Sequence, residues 1–230
     1  MGSAIFLATV GLGLAAVVAP FSVRTPRPML AAAALATVLC LGLLIDGTLS
    51  RLDGAVLVAG FVPLVALVAS SRVDAAPSAT GERPSYLVLR LLAGLAGLVL
   101  GAELLVLGTE RVVGGLGLSE TLFGLVVVAA AVSFEEVILE MLPAHRGHPE
   151  ISVGNALGTV IFLLTGSLGL IVLAGPIEAP PTVVTYHVPA LLIAVTLLAI
   201  LLLRGHLGRP EGAVLVGAYM LYVVGAVLVA

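Results

Sequence analysis

The chain has 230 residues, of which 60% are hydrophobic and 10% are charged, and its formal net charge is −3. Soluble domains carry about 25% charged residues. The composition and a mean hydropathy of +1.26 therefore exclude a soluble globular protein and predict an integral membrane protein. No basic patch indicates nucleic-acid binding, and the single cysteine, Cys40, excludes a disulfide framework and a cysteine metal site.

Eight apolar segments are long enough to span a bilayer, which requires about 20 residues per helix. They lie near 4–22, 29–46, 53–70, 86–108, 120–142, 150–174, 186–203 and 211–229. The connections are short except for a polar, Pro/Ser-rich cytoplasmic linker at 71–85. We therefore predict an all-α polytopic membrane helix bundle of about eight transmembrane helices. The linker divides it into residues 1–70 and a five-helix part at 86–230.

The arginines predict the orientation of the chain. When alternate loops are counted, one side carries Arg24, Arg27, Arg72, Arg83, Arg90, Arg146, Arg204 and Arg209, and the other carries Arg51 and Arg111. Positive residues are concentrated in cytoplasmic loops. We therefore expect both termini to face outside, in a prokaryotic plasma membrane.

An internal repeat relates the two parts of the chain. GSAIFL at 2–7 matches GTVIFL at 158–163, an offset of 156 residues. RLDGAVLV at 51–58 matches RPEGAVLV at 209–216, where the offset is 158. The loop count places the two copies in opposite directions across the membrane, which is the inverted-topology repeat of many secondary transporters.

The first copy of the repeat lacks a counterpart of residues 86–157. We expect that an upstream part of the first repeat is missing from this chain. The alternative is a half-sized protein that completes itself with a second chain.

The stretch from Ser133 to Phe162 contains the candidate functional residues. Glu135 and Glu136 follow an apolar run long enough to lie in a membrane, where a charge costs roughly 2.5–3.5 kcal/mol. Consecutive side chains on a helix diverge by about 100°, so both carboxylates cannot face one ion on a straight helix. We interpret Glu136 as functional; the alternative is a relic that is neutralised by protonation.

Other residues of this part have structural interpretations. Glu140 follows Glu136 by one helical turn, and we expect it near the cytoplasmic mouth, paired with Arg146 or water. The GxxxG spacing of Gly154 and Gly158 predicts close helix packing. His187 falls at a segment end, where solvent would satisfy it.

Three motifs carry a family resemblance. GLVVVAAAVSFEEV at 124–137, AHRGHPE at 144–150 and GNALGTVIFL at 154–163 resemble the second alpha-repeat of the calcium/cation antiporter superfamily, the sodium/calcium exchanger membrane region. The family pattern is roughly GLT-x-VA-x-GTSLPEL, ALRG-[HN]-PD and GN-x-x-GSNIFN. Residues 1–70 resemble the end of the first repeat and the helices after it, so the N-terminal part of that repeat has no match here.

The resemblance implies a cation site. Glu136 falls on the family's ion-coordinating glutamate, Ser133 on its ligand serine, and Thr159 on the serine of GSN, which preserves a hydroxyl. Asn155 would either line the ion pathway or have a structural role, as a helix cap or a hydrogen-bonding partner between helices. Glu135 would modulate the site.

The chain departs from the family pattern at several ligand positions. Val132 replaces the threonine before the serine, and Glu135 replaces the helix-breaking proline. Leu163 and Leu7 replace the ligand Asn/Asp that ends the SNIFN motif, and the first repeat's own glutamate is absent.

The oxygen ligands limit the chemistry. Calcium takes about six to eight oxygens, and the side chains here are too few for a good calcium cage but adequate for one sodium ion or a proton. We expect a secondary antiporter that exchanges calcium or sodium against sodium or protons by alternating access. Its partners would be the lipid bilayer and inorganic cations or protons.

Two other functions remain open, a channel and a degenerate, non-transporting paralogue that acts as a structural or regulatory membrane subunit. No cofactor motif and no catalytic motif supports an enzyme.

Overall fold

The computed structural model describes residues 1–70, 123–128 and 133–229, together with isolated helical positions between 93 and 108. The long helices of these described ranges are α1 (Gly2–Val18), α2 (Arg27–Leu43), α3 (Arg51–Ser70), α4 (Phe134–His145), α5 (Pro149–Ala174), α6 (Val183–Leu203) and α7 (Arg209–Val229). A π-helical turn spans Phe123–Val128. The predicted all-α class is confirmed.

Helices α3, α5, α6 and α7 are long and apolar enough to cross a membrane, and α1 and α2 are shorter apolar helices. Large apolar side chains such as Ile193 and Leu221 are exposed on their outer faces. Lipid tails are as apolar as leucine, so such a face is stable in a bilayer. The predicted segment at 86–108 lies outside the described residues, apart from the isolated positions.

One predicted segment is wrong in its extent. We expected a single span over 120–142, but Ser133 lies in a turn and α4 begins afresh at Phe134. Helix α4 then continues to His145, three residues beyond the predicted end. An unbroken apolar run does not reveal where a helix restarts, because hydrophobicity is the same on both sides of the break.

Two short antiparallel strand pairs, which we did not predict, join the two repeats. Strand β1 (Phe21–Ser22) pairs with β4 (His206–Leu207), and β2 (Thr48–Leu49) pairs with β3 (Ile177–Glu178). The repeat offsets of 156 and 158 residues convert β1 into β3 and β2 into β4. The two pairs are therefore equivalent, and each joins one copy to the other.

Glycine contacts repeat the same pattern between helices. A Cβ added at Gly212 of α7 would lie 2.5 Å from the carbonyl oxygen of Gly13 in α1. A Cβ added at Gly54 of α3 would lie 2.9 Å from the carbonyl oxygen of Gly169 in α5. Small residues allow helix backbones to approach this closely in membranes. Each copy thus packs its first helix against the last helix of the other.

Both first helices of the repeat contain a π-helical turn, over Leu7–Gly11 in α1 and Phe162–Ser167 in α5. Within these turns the Thr9 hydroxyl donates to the Ile5 carbonyl, and the Thr165 hydroxyl donates to the Ile161 carbonyl. Such single π turns interrupt helices mostly at functional sites. The two copies therefore carry the same local irregularity at the same offset.

Candidate cation site

The candidate site begins where α4 begins. Ser133 is buried at the N-terminal end of the helix, and Glu135 and Glu136 lie in its first turn. Unpaired backbone N–H groups give a helix N-terminus a partial positive charge, which stabilises carboxylates there. This start explains why two acidic side chains are tolerated next to an apolar run.

The two adjacent glutamates have different environments. Glu135 is exposed, whereas Glu136 is half-buried. The buried face of α4 instead carries Ser133, Val137 and Glu140, at spacings of four and three residues that place them on one side of a helix. The structure therefore separates Glu135 from Glu136, as the helical geometry predicted.

Helix α5 carries the other two predicted ligands. Asn155 and Thr159 are half-buried and follow each other by one turn. The Asn155 side-chain nitrogen is buried and has no hydrogen-bond partner among the described residues. Helices α4 and α5 pack against each other, and both also contact α1. The roles of Ser133, Glu135, Glu136, Asn155 and Thr159 as ligands stay predictions.

The leucines at the family's ligand positions lie at the π turns. Leu7 is fully buried and begins the π turn of α1, and Leu163 is half-buried in that of α5. Neither side chain offers an oxygen to a cation. Val132 lies outside the described residues.

Within the described ranges, no three His, Cys, Asp or Glu side chains lie close enough together to hold a metal ion. A cation bound near Glu136 would therefore depend on hydroxyl, amide and backbone oxygens beside that carboxylate. Sodium, which carries one charge, suits such a set better than calcium, because calcium prefers six to eight oxygens including several carboxylates.

The close helix packing predicted for Gly154 and Gly158 is not seen among the described residues. A Cβ at Gly158 would meet nothing within 4 Å among the described residues, and one at Gly154 would meet only Met29 at 3.8 Å. The close glycine packing occurs at the crossings of α1 with α7 and of α3 with α5 instead. Among the described residues, only the side chain of Met29 lies near this face of α5.

His187 is also placed differently from the prediction. It is buried rather than solvated, and its Nδ1 lies 2.9 Å from the Tyr222 hydroxyl. The tyrosine, on α7, provides the hydrogen bond that solvent was expected to provide.

Glu140 is likewise placed differently from the prediction. Its side chain is fully buried, and neither carboxylate oxygen has a hydrogen-bond partner among the described residues. Arg146, the expected partner, is exposed. The helical spacing from Glu136 was visible in the sequence. The contact of the Glu140 carboxylate with Gly11 of α1 depends on tertiary structure and could not be read from the sequence.

Comparisons with known proteins agree with this architecture. The family model described as sodium/calcium exchanger protein matches residues 86–228. Inner membrane protein YrbG of Escherichia coli (strain K12) is 30% identical over 239 residues, which cover 96% of this chain and 74% of that protein. The putative antiporter CaxA of Alkalimonas amylolytica is 34% identical over 135 residues, 58% of this chain and 42% of that protein.

A solved structure of the sodium-calcium exchanger NCX_Mj, soaked with 2.5 mM Na+ and 0.1 mM Ca2+, is similar with a TM-score of 0.71 and 26% identity. The similarity covers 97% of this chain and 73% of that one. The resemblance seen in the motifs of α4 and α5 is confirmed over most of the chain. This chain is a helical membrane protein that belongs to the sodium/calcium exchanger family.

Proposed function

We propose that this chain forms the cation-translocating part of a secondary antiporter. It exchanges calcium or sodium against sodium or protons by alternating access. Membership of the sodium/calcium exchanger family supports the class of activity. The observation that carries the proposal for this chain is the position of Glu136, half-buried in the first turn of a helix that starts beside apolar elements.

Glu136 is the central ligand or proton carrier in this proposal. The helix N-terminus stabilises its negative charge while no cation is bound, and the bound cation replaces that stabilisation with a direct contact. The Ser133 and Thr159 hydroxyls and the Asn155 amide line the pathway. Glu135, which is exposed, modulates the electrostatic potential at the site through its charge. No resident cofactor is required, because the cation is the substrate.

The crossed packing of the two copies supports alternating access. Transporters built from inverted repeats move largely by rocking one bundle against another around a fixed site. Here the pairs α1–α7 and α3–α5 are related by the repeat, and the α4–α5 hairpin carries the predicted ligands. A motion that exchanges the roles of the two copies would expose Glu136 to each side in turn.

The test is Glu136→Gln in proteoliposomes, with sodium-driven calcium uptake and pH-driven sodium or calcium uptake measured in parallel. We expect loss of all coupled flux, because the amide keeps the shape of the side chain but not its charge. Glu178→Gln, which alters an exposed carboxylate in β3, is the matched control and should retain wild-type flux.

Unchanged flux in Glu136→Gln would show that the proposed mechanism is wrong. Uptake that does not depend on a counter-ion gradient would indicate a channel. Absence of any cation flux in the wild type would favour the non-transporting subunit.

A further inference from the structure

A second carboxylate, Glu140, is more deeply buried than those of Glu135 and Glu136. Its side chain is 0% exposed, and both of its oxygens are buried without a hydrogen-bond partner among the described residues. Its backbone carbonyl accepts a hydrogen bond from the Ser152 hydroxyl of α5. The α4–α5 hairpin therefore fixes the residue while leaving the acidic group free.

The carboxylate occupies a space that only a glycine provides. A Cβ built at Gly11, in the π turn of α1, would overlap Oε2 of Glu140. The counterpart of Gly11 in α5, at the repeat offset of 156 residues, is Ser167. The space for a carboxylate is therefore a feature of one copy of the repeat and not of the shared scaffold.

No cationic side chain among the described residues pairs with this carboxylate. Helix α1 contains no ionisable side chain, and α5 contains only Glu150, which lies 3.1 Å from His148. On α4 itself the ionisable residues are Glu135, Glu136 and His145, of which His145 is exposed. An ionised carboxylate buried without a partner costs several kcal/mol. Burial without a partner therefore favours the neutral acid over the ionised carboxylate at Glu140.

A proton fits this site better than a metal ion does. Hard cations need several oxygen ligands, whereas Glu140 brings two oxygens to a buried position against Gly11 of α1. No cluster of three ligating side chains surrounds it in the described part of the chain. A single proton satisfies the carboxylate without any further ligand.

We propose that Glu140 holds the proton that moves in exchange for the cation. This inference rests on the proposed antiport. The carboxylate takes a proton from water on one side of the membrane, is enclosed as the neutral acid between α4 and Gly11, and loses the proton to water on the other side. Glu136, one helical turn away, binds the cation, and the two carboxylates thus have separate cargoes.

The first test detects the neutral acid directly and does not need transport. The full chain in liposomes is treated with N,N′-dicyclohexylcarbodiimide, which reacts with protonated carboxyl groups in apolar surroundings, and adducts are located by peptide mass spectrometry. We expect an adduct on Glu140 at neutral pH that decreases as the pH rises. Absence of this adduct in the wild type overturns the proposal.

A glycine variant controls the labelling. Gly11→Ala places a methyl group where the carboxylate lies and should reduce the adduct on Glu140. Gly42→Ala, whose added Cβ meets no described atom within 4 Å, should leave it unchanged. Equal labelling of Glu140 in Gly11→Ala and in the wild type would contradict the enclosure of its carboxylate against Gly11.

The second test separates the two cargoes in proteoliposomes that contain a pH dye. In Glu140→Gln we expect loss of the internal pH change that follows an external calcium or sodium pulse. Exchange of labelled calcium for unlabelled calcium should continue, because it moves no proton. If the pH change persists in Glu140→Gln, or if cation self-exchange is lost with it, the proposal is wrong.

The two tests also distinguish this inference from the proposed function. A wild type without any cation flux contradicts the antiport, while the carbodiimide adduct still shows whether Glu140 is protonated. If flux is coupled in the wild type and unaltered in Glu140→Gln, the proposed antiport is supported and the role of Glu140 as proton carrier is wrong.

Discussion

Residues 1–70 and residues 149–229 build the same arrangement twice, but they differ in the polar groups that they bury. In both parts the first helix contains a π turn whose threonine hydroxyl donates to a backbone carbonyl of the preceding turn. Each part also has a glycine contact between helices and a two-residue strand in each connection between helices. Both also place an aromatic pair edge to face, Phe6 with Tyr219 and Phe61 with Phe162. The repeat therefore preserves the contacts that hold the helices together.

The differences lie in ionisable and hydrogen-bonding side chains. Tyr222, which meets His187, corresponds to Leu64 at the offset of 158 residues. Gly11, which admits the carboxylate of Glu140, corresponds to Ser167. The comparison indicates that the duplicated contacts form the scaffold. The ionisable and hydrogen-bonding side chains were gained or lost in one copy independently of that scaffold. Three stability measurements test whether the scaffold and the chemistry divide in this way.

The largest effect should come from the glycine crossings. Gly212→Ala and Gly54→Ala would force a methyl group into the backbone of the facing helix, and overpacking costs about 1–3 kcal/mol. We expect both variants to lower the free energy of unfolding by similar amounts, measured by denaturant titration in detergent micelles. Gly217→Ala is the control and should be neutral or stabilising, because no atom of the described part of the chain lies within 4 Å of the added Cβ on α7. A loss in only one of the two crossing variants would show that the copies do not contribute equally.

A smaller effect is expected from the aromatic pairs. Their ring centroids are 5.2 Å apart for Phe6 and Tyr219 and 5.9 Å apart for Phe61 and Phe162. Edge-to-face pairs contribute about 0.5–1.5 kcal/mol beyond the area they bury. Double-mutant cycles with leucine should give favourable coupling in both pairs, and more in the first pair because its rings are closer. A coupling energy near zero in either pair would show that this aromatic pair does not stabilise the shared scaffold.

The smallest effect should come from a hydrogen bond that one copy alone contains. Tyr222→Phe removes the hydroxyl that meets His187, and hydrogen bonds between membrane helices contribute about 0.6 kcal/mol on average. The matched control is Tyr219→Phe, because the Tyr219 hydroxyl is buried without a partner among the described residues. We expect a measurable loss of stability in the first variant and none in the second. The reverse result would show that Tyr219 has a partner and Tyr222 does not need one.

Much of the scaffold could be predicted from the sequence, because helices and repeats leave local patterns. The matches of GSAIFL with GTVIFL and of RLDGAVLV with RPEGAVLV identify the repeat from the sequence alone. Apolar runs marked the long helices, and prolines and glycines marked their ends. The strand pairs were not predictable, since each joins two-residue segments from opposite copies and the pairing uses only backbone atoms.

The candidate site was harder to predict. The motifs of α4 and α5 named the residues to consider, but the restart of the helix at Phe134 is hidden inside an apolar run. The burial of Glu140 depends on Gly11, which is far away in the chain, and on a π turn that has no sequence signature. Local patterns therefore located the acidic stretch, whereas only tertiary contacts distinguished the enclosed carboxylate from the half-buried one.

The crossed pairing of the copies has a consequence for biosynthesis. Helix α1 leaves the ribosome well before α7, the helix that packs against Gly13 and the last of the described helices to be made. Likewise α3 meets its glycine partner only after α5 has been inserted. Contacts between distant parts of a chain form late. The glycine faces of α1 and α3 are therefore exposed to lipid until their partner helices have been inserted. A chaperone or lipid that shields Gly13 and Gly54 during this interval would raise the yield of folded protein.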